Sequence, residues 1–315
     1  MNKSCLIGFL MCSAFSLVVQ AATDGAHITK TISQIERKKG IKRTIQYRPD
    51  GNDFVCVNGK NRYTRALYGG ITDFRIETSD RPVFATYKPK DSKHICFRLQ
   101  CGNQSIALDS LKFCEARYRA GRRTYRLTDP LLGKGELNIS VLAFPDAEGG
   151  IWRFTMKDMP EGALLHCYIS EIRAKNLSRN GDMGADRADS FDAPQLPKEQ
   201  KHYKLSLDGT TAYIVVEDQE LRLPALVEGT SLYDKSEKWR SEIESSLQIS
   251  TPDPYFNPLG GALAAAADGI WDGKIWLHGA IGWRSQLNGW RAAYIGDFIG
   301  WHDRARTHFD SYAAS

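Results

Sequence analysis

Several motifs that mark large enzyme classes are absent from this chain of 315 residues. It has no Gly-x-Ser-x-Gly nucleophile elbow, no phosphate-binding P-loop, no His-Glu-x-x-His zinc motif and no Gly-x-Gly-x-x-Gly dinucleotide fingerprint. Each of these motifs holds a nucleophile, a phosphate group or a metal ion in a defined geometry. Their absence disfavours serine hydrolases, nucleotide-dependent enzymes and zinc proteases.

Cysteine is sparse, and two of the seven cysteines lie within the first twelve residues. The other five are Cys56, Cys96, Cys101, Cys114 and Cys167. Five thiols cannot all pair within one chain, so a full disulfide framework is excluded, while a single unassigned disulfide stays open. Most of these cysteines lie in apolar, strand-like runs, where Cys usually packs as a small core residue. Cys96 and Cys101 lack the two further ligands of a zinc site, and we expect neither a metal nor a cofactor.

Long apolar runs are missing beyond the N-terminus, so no later segment is predicted to span a membrane. Near the start, Lys3 precedes an apolar run from Leu6 to Val19, and Val19-Gln20-Ala21 supplies the small residues of a cleavage site. This run is shorter than the roughly 20 apolar residues of a membrane helix. A secretory signal peptide over residues 1–21 is therefore favoured over a membrane anchor. We expect an exported protein, periplasmic or extracellular, with no membrane association after cleavage.

The net charge is only +5, and many of the basic residues lie between Lys30 and Arg48. Residues 22–43 are predicted to form a flexible leader. A basic cluster of this kind can bind nucleic acid. Because the chain is predicted to leave the cytoplasm, we expect no nucleic-acid partner.

Residues 44–230 are predicted to form a large antiparallel β-sandwich. Short alternating runs recur between Asp, Gly, Asn and Pro residues, which is typical of sandwich strands. Asn58-Gly59 is a strong signal for a two-residue hairpin turn. The predicted strands are Thr44–Arg48, Phe54–Val57, Val83–Tyr87, His94–Leu99, Phe113–Tyr118, Leu137–Phe144, Ile151–Met156, Leu164–Ile172 and Ala212–Val216.

The sequence pattern changes from β to α near residue 230. Trp239, Ile243 and Leu247 recur every four residues among charges, which predicts a linker helix over residues 231–250. Asn257 followed by Pro258 suits a helix start, with Asn as the cap. Helices are then predicted at Leu259–Ile270, Trp290–Phe298 and Asp303–Ala314.

The stretch from Ala174 to Lys201 is long, polar and without periodicity. Long loops in compact domains are usually either functional or disordered, and both interpretations stay open. In the functional interpretation, the segment from Asn180 to Asp186 reaches over a binding site and Asp182 contacts the ligand. The aspartates of this stretch do not have the spacing of an EF-hand loop, so a calcium site is not predicted.

The C-terminal segment combines aromatic and hydrogen-bonding side chains. Five of the seven tryptophans lie there, at positions 271, 276, 283, 290 and 301. A sugar ring stacks its C–H faces on aromatic rings and needs polar partners around its hydroxyl rim, because a polar site rejects ligands that leave its groups unpaired. Core packing of the tryptophans is the equally weighted alternative. The predicted sugar-binding residues are Trp283, Arg284, Asn288, Trp290, Arg291, Trp301 and His302.

Glycoside hydrolysis needs two carboxyl groups, one acting as acid and the other as base or nucleophile. Asp297 lies within the Trp- and Arg-rich stretch and is the first candidate for a catalytic residue. Asp303 is the second, although it equally suits a helix start, where the helix dipole favours acidic residues. Asp268 and Asp272 flank Gly269 in a turn-like setting and are weaker candidates.

Long stretches of this chain resemble a known protein family. In the C-terminal part they are Tyr255-Phe256-Asn257-Pro258-Leu259-Gly260-Gly261-Ala262, Trp276-Leu277-His278-Gly279-Ala280, Gly282-Trp283-Arg284, Leu287-Asn288-Gly289-Trp290-Arg291 and Gly300-Trp301-His302-Asp303-Arg304-Ala305-Arg306-Thr307-His308-Phe309. In the β part they are Asn61-Arg62-Tyr63-Thr64-Arg65-Ala66-Leu67-Tyr68-Gly69-Gly70 and Asp80-Arg81-Pro82-Val83-Phe84. These motifs resemble domain of unknown function family 4450, a group of exported bacterial proteins similar to six-hairpin glycosidases.

The resemblance implies a β-sandwich followed by a toroid of twelve helices, and hydrolysis of glycosides. A toroid of twelve average helices needs roughly 300 residues, whereas residues 251–315 hold only its first helices. We therefore expect an N-terminal piece of a split or truncated enzyme, partnered by the missing C-terminal part.

Three functions remain open at this point. The first is an exported carbohydrate-active protein, part of a glycoside hydrolase that cleaves oligo- or polysaccharides by carboxylate acid/base catalysis. The second is a carbohydrate-binding β-sandwich protein without catalysis. The third is a structural or interaction protein in which the tryptophans are core. Whether the chain acts as an enzyme on its own stays open.

Overall fold

The structure of the chain is a computed structural model. It describes residues 46–88, 90–175, 177, 187–195, 198–277 and 289–314. The predicted signal peptide and flexible leader, residues 1–43, lie outside the described residues. Within them, the fold is mainly β with helices toward the C-terminus, which confirms the predicted fold class.

Two antiparallel sheets make up the β part. The eight-stranded sheet has the order β1-β2-β8-β9-β10-β11-β14-β15. Its strands are β1 (Arg48–Asp50), β2 (Asp53–Val57), β8 (Phe113–Arg119), β9 (Arg122–Thr128), β10 (Glu136–Ala143), β11 (Gly149–Lys157), β14 (Thr211–Glu217) and β15 (Glu220–Arg222).

The seven-stranded sheet has the order β13-β12-β6-β5-β4-β3, and β7 pairs with β6 beside this path. Its strands are β3 (Arg65–Tyr68), β4 (Arg75–Thr78), β5 (Val83–Tyr87), β6 (Lys93–Cys101), β7 (Gln104–Ala107), β12 (Leu164–Glu171) and β13 (Gln200–Ser206). Short 3-10 helices occur at Leu108–Ser110, Pro130–Leu132 and Ala188–Phe191.

The main core lies between the inner faces of the two sheets. Alternate residues of each strand point inward, as the period of two in a β-strand requires. Phe84 of the seven-stranded sheet packs edge-on against Trp152 of the eight-stranded sheet, with ring centroids 5.6 Å apart. Phe97 and Phe154 form a second such pair across the sheets at 5.5 Å. The two sheets thus form a sandwich closed by interdigitating aromatic rings.

Cysteines are part of this sandwich and are all free thiols in the described residues. Cys56, Cys114 and Cys167 are buried, and Cys96 and Cys101 are half-buried. Each lies on a strand, as their apolar surroundings in the sequence indicate. The single disulfide that the sequence left open is therefore not formed among these five described cysteines.

Four helices are present in the described residues beyond the sandwich. They are α1 (Leu226–Ser245), α2 (Leu259–Gly269), α3 (Gly289–Phe298) and α4 (His302–Ala313). Helix α1 packs on the outer face of the eight-stranded sheet, where Tyr233 lies over a small second core that includes Leu142 and Ile151. None of these helices is long and apolar enough to cross a membrane.

Helix α2 contacts both α1 and the β3 edge of the sandwich. A Cβ atom on Gly269 would lie 2.8 Å from the ring of Tyr68, so glycine lets the end of the helix rest directly on that ring. A Cβ atom on Gly260 would likewise lie 2.7 Å from the carbonyl oxygen of Leu247. The small residues of α2 therefore serve close packing.

Two local predictions were wrong. Asn58-Gly59 does not close a hairpin, because Asn58 continues the pairing of β2 with β8: its backbone N–H donates to Cys114 at 2.8 Å. Gly59 is needed instead because a Cβ there would lie 2.5 Å from the carboxylate of Asp80. Asn257 does not cap α2 either, since Pro258 holds that position and the Asn257 side chain accepts from the backbone of Thr251 at 2.7 Å.

Part of the long polar stretch covers the outer face of the seven-stranded sheet. Phe191 is fully buried against Tyr63, with ring centroids 5.5 Å apart. The Tyr63 hydroxyl donates to the Phe191 carbonyl at 3.1 Å, and a His94 ring nitrogen lies at the same distance from that oxygen. Residues 187–195 are therefore anchored to the sandwich, whereas the segment 180–186, including Asp182, lies outside the described residues.

Candidate functional site

The C-terminal helices are organised around one buried tryptophan. Trp276 is fully buried, its indole N–H donates to the Ala267 carbonyl at 3.0 Å, and its backbone N–H donates to His308 Nδ1 at 2.9 Å. Its ring packs against Trp271 with centroids 4.6 Å apart. Gly296 of α3 lies so close that a Cβ there would be 2.0 Å from the Trp276 ring. Trp276 is a core residue that holds α2, α3 and α4 together.

Beside this core lies an ion pair between two helices. Arg304, in the first turn of α4, places Nη1 2.7 Å from Oδ1 of Asp268, near the end of α2. The Arg304 guanidinium also lies over two tryptophan rings. Its carbon is 4.5 Å from the ring centroid of Trp301 and 5.7 Å from that of Trp271. Both distances are within the range of cation–π attraction.

The Asp268 carboxyl is nearly buried, and its pKa is raised above the usual value for aspartate. Burial is the largest cause, because it disfavours the charged form. The hydrogen bond from Arg304 and its positive charge act in the opposite direction and lower the pKa. Asp268 therefore combines a desolvated carboxyl with a cationic partner.

We call Asp268, Trp271, Trp301 and Arg304 the Trp–Arg cluster. Its two tryptophans and its arginine are only partly buried, so part of each side chain is accessible to solvent. An aromatic face beside fixed donors is suited to a ligand with both C–H faces and hydroxyl groups. Salt-bridged packing of two helices is the other role that this geometry fulfils.

The two candidate catalytic carboxylates lie on the surface. Asp297 is 62% exposed, and its Oδ1 is 2.7 Å from Nδ1 of His302, which is 68% exposed. Asp303 is 99% exposed and lies 3.7 Å from Arg306, one turn along α4. Trp301 belongs to the Trp–Arg cluster, and the adjacent His302 contacts Asp297. Trp301 and His302 are therefore neighbours in the sequence whose side chains contact different partners.

The side chains of the remaining predicted binding residues lie outside the part of the chain that the structure describes. Trp283, Arg284, Asn288 and Asp182 lie outside the described residues. Trp290 and Arg291 are in the first turn of α3, where only the backbone is described.

Asp268 is the residue whose importance the sequence understated. It was ranked below Asp297 because Gly269 follows it and suggests a turn. A stronger signal was available in the spacing of Gly260, Ala264 and Asp268, which places a carboxyl on the small-residue face of an apolar helix. A charged residue on a buried face needs a partner, and Arg304 supplies it.

Metal binding has no evident site in the described residues, where no group of three or more His, Cys, Asp or Glu side chains is suitably arranged.

Comparison with known proteins finds one family model that matches part of the chain. No curated protein matches the sequence. The model of the family described as Domain of unknown function (DUF4450) matches residues 89–217. This segment runs through the sandwich to the end of β14 and does not include the Trp–Arg cluster. This is the family that the sequence motifs resemble, and the match supports that resemblance over residues 89–217.

Proposed function

We propose that this protein is an exported carbohydrate-active protein whose C-terminal helices contribute a sugar-binding site. The observation that carries this proposal is the Trp–Arg cluster, in which Arg304 is held by Asp268 and lies over the ring of Trp301. A pyranose can stack its apolar face on such a ring while its hydroxyls bond to the fixed guanidinium. The signal peptide expected from the sequence agrees with action on glycans outside the cytoplasm.

Glycoside hydrolysis is the activity that we propose for the site. It requires one carboxyl to protonate the glycosidic oxygen and a second to activate water or attack the sugar. Asp297 is the first candidate for this chemistry and Asp303 the second. The resemblance to six-hairpin glycosidases supports hydrolysis by analogy of fold, which is a weaker support than site geometry because one fold serves many functions.

Sugar binding without hydrolysis is the second candidate, and one observation favours it. In the described residues, Asp268 is the one buried carboxyl of the Trp–Arg cluster, and it is already paired with Arg304. Asp297 and Asp303 are exposed, whereas catalytic carboxyls are commonly tuned by burial. The exported chain would then hold a glycan without cleaving it.

Binding and hydrolysis are tested together on the purified mature chain with a panel of neutral oligo- and polysaccharides. Trp301→Ala is expected to weaken binding, measured by calorimetry, because it removes the stacking surface. Trp239→Ala is the matched control, since Trp239 is a half-buried tryptophan of α1 outside the cluster. Equal losses in both variants would contradict the proposed site.

Release of reducing ends measures hydrolysis. Release that is lost in Asp297→Asn and kept in Asp303→Asn would support the first candidate residue. Binding without release would favour the non-catalytic function. Neither binding nor release across the panel would favour a structural or interaction protein.

A further inference from the structure

The outer face of the eight-stranded sheet carries a polar cleft of about 250 Å³ beside α1. Its floor includes a row of side chains across four strands, because the register places Arg117 opposite Thr124, Thr124 opposite Ser140 and Ser140 opposite Arg153. Asn138 and Thr155 form a neighbouring pair on the same face. The Glu115 carboxylate lines the cleft as well. The cleft therefore presents hydroxyl, amide, guanidinium and carboxylate groups.

Helix α1 contacts two side chains that line this cleft, Ser140 and Arg153, and holds them in place. The hydroxyl groups of Tyr233 and Ser140 are 2.7 Å apart, and both side chains are buried. The Arg153 guanidinium stacks on the Tyr233 ring, with its carbon 3.9 Å from the ring centroid. A cleft fixed by a helix and a sheet needs little reorganisation to bind a ligand.

The three guanidinium groups of the cleft differ in how their charge is neutralised. Arg117 is paired with Asp50 at 2.8 Å, with Glu115 at 2.8 Å and with Asp53 at 3.2 Å. Arg126 is shared between Glu136 at 3.4 Å and Glu115 at 3.5 Å. These contacts make both groups part of the fold.

Arg153 has no such partner. Among the residues that the structure describes, no carboxylate lies within 4.0 Å of its guanidinium nitrogens. Its Nε is buried and without a hydrogen-bond partner in the same part of the chain. Arg153 also lines the cleft, so its positive charge, unpaired with any described carboxylate, is available there to an anionic ligand.

We propose that this cleft binds an acidic sugar, with the carboxylate of a uronic acid unit held by Arg153. A guanidinium and a carboxylate form a strong charge-assisted pair that can be bidentate. Thr124, Asn138 and Thr155 can donate to and accept from the ring hydroxyls. The volume is below the roughly 300 Å³ at which pockets for drug-sized ligands begin, which suits a single sugar unit. That the ligand is a sugar rests on the proposed function, whereas the anion site rests on Arg153 alone.

The test is calorimetric titration of the mature chain with trigalacturonate and with its fully methyl-esterified form, in which a methyl group on each carboxylate removes the charge. We expect the acid to bind and the ester to bind at least tenfold more weakly. Arg153→Gln is expected to weaken binding of the acid at least tenfold, and Arg153→Lys to restore part of it. Added salt should weaken binding of the acid and leave binding of the ester unchanged, because salt screens charge.

Arg98→Gln is the matched control, because Arg98 is an exposed arginine on a strand of the other sheet. Equal affinity for acid and ester, no binding of the acid, or equal losses in Arg98→Gln and Arg153→Gln would each overturn the proposal. Thr155→Ala, which leaves the packing of Arg153 on Tyr233 intact, is a second cleft variant in case Arg153→Gln unfolds. Thr155→Ala is expected to weaken binding of the acid severalfold, and an unchanged affinity of this variant for the acid would count against the proposal.

Two further arms separate this inference from related outcomes. A galactose sulfate distinguishes a general anion site from a carboxylate site, and tighter binding of the sulfate than of the uronate would overturn the choice of sugar acid. Arg304→Gln should leave binding of the acid unchanged. Loss of neutral-sugar binding in that variant, with acid binding kept, would show that the two sites are independent, so either proposal can fail alone.

Discussion

Arg304 donates a hydrogen bond of 2.7 Å to Asp268, a residue 36 positions earlier in the chain. The two partners differ in exposure, since 30% of the Arg304 side chain and 6% of the Asp268 side chain are accessible. If Asp268 is lost, Arg304 can still reach solvent. If Arg304 is lost, a carboxylate remains buried without its cation.

Arg304→Gln is therefore expected to destabilise the fold by about 2–3 kcal/mol at neutral pH, because removing one partner of a buried pair strands the other charge. The deficit should shrink as the pH falls. Burial already raises the pKa of Asp268, and loss of Arg304 raises it further. A carboxyl whose pKa is higher in the folded than in the unfolded state favours folding at low pH and loses that contribution as pH rises through the folded pKa.

Urea denaturation of the wild type and the variant at acid and neutral pH measures this difference. Asp268→Asn is the control and should cost less, because an amide can stay buried without charge. It should also remove the pH dependence of the deficit when combined with Arg304→Gln. A deficit of Arg304→Gln that is the same at every pH would contradict the role given to Asp268.

The strands with alternating apolar residues could be predicted from the sequence, and Val83–Tyr87 was predicted with its observed bounds. Strand β9, Arg122–Thr128, was missed because six of its seven residues carry charges or hydroxyls, on both faces of the strand. Arg123 is fully buried among Tyr125, Ser79 and Tyr47. Burial of an arginine depends on partners that lie far away in the sequence. No local pattern reveals them.

The candidate site shows the same limit. The aromatic and charged composition of the C-terminal segment indicated the region in which the Trp–Arg cluster lies, because composition is a local property. The pairing of Asp268 with Arg304 depends on how α2 and α4 pack, and this depends on small residues such as Gly296 against Trp276. Sequence alone ranked Asp297 first, although its side chain points to solvent and to His302.

Gly296→Ala is expected to destabilise the protein by about 1–3 kcal/mol, as overpacking does in well-packed cores. Alanine favours a helix over glycine by up to about 1 kcal/mol. The added Cβ would nevertheless lie 2.0 Å from the Trp276 ring, so the clash outweighs the gain in helix propensity. Chemical denaturation followed by tryptophan fluorescence measures the change.

Gly209→Ala is the control for Gly296→Ala, since the nearest atom to its added Cβ is 4.0 Å away, and its effect should stay within about 0.5 kcal/mol. Adding Trp276→Phe to Gly296→Ala should cost less than the sum of the two changes, because the smaller ring makes room for the methyl group. Strict additivity would show that the two residues do not contact each other as described.

Arg75 and Glu77 form a buried ion pair on β4, with 2% and 1% of their side chains exposed. Glu77→Leu is expected to cost about 3–5 kcal/mol, because it removes the carboxylate of a buried ion pair and keeps the guanidinium buried. The double change Arg75→Met and Glu77→Leu should recover more than half of that loss. Urea denaturation of the three proteins compares them, and a double variant less stable than the single one would show that Arg75 contributes mainly through its stacking on Tyr87.

Three thiols of the sandwich, the half-buried Cys96 and the buried Cys114 and Cys167, should be nearly unreactive in the native protein. Burial raises the pKa of Cys96 to about 11 and that of Cys114 to about 12, and it raises the pKa of Cys167 well above its usual value. Since the thiolate is the reactive form, native labelling by a disulfide reagent at about pH 8 should be at least tenfold slower at these positions than in urea. Mass spectrometry of the labelled peptides assigns each site.

The same shifts predict how stability changes in alkali. Thiols of the unfolded chain ionise above about pH 8.5, while these three stay neutral in the fold, so the unfolded state gains free energy from ionisation that the folded state does not. The free energy of unfolding should therefore fall as the pH rises above this value. Replacing Cys167 by Ala, which also leaves a small cavity, should lower the stability at neutral pH and reduce its decline in alkali. A decline unchanged by that replacement would mean that the Cys167 thiol ionises as readily in the fold as in the unfolded chain.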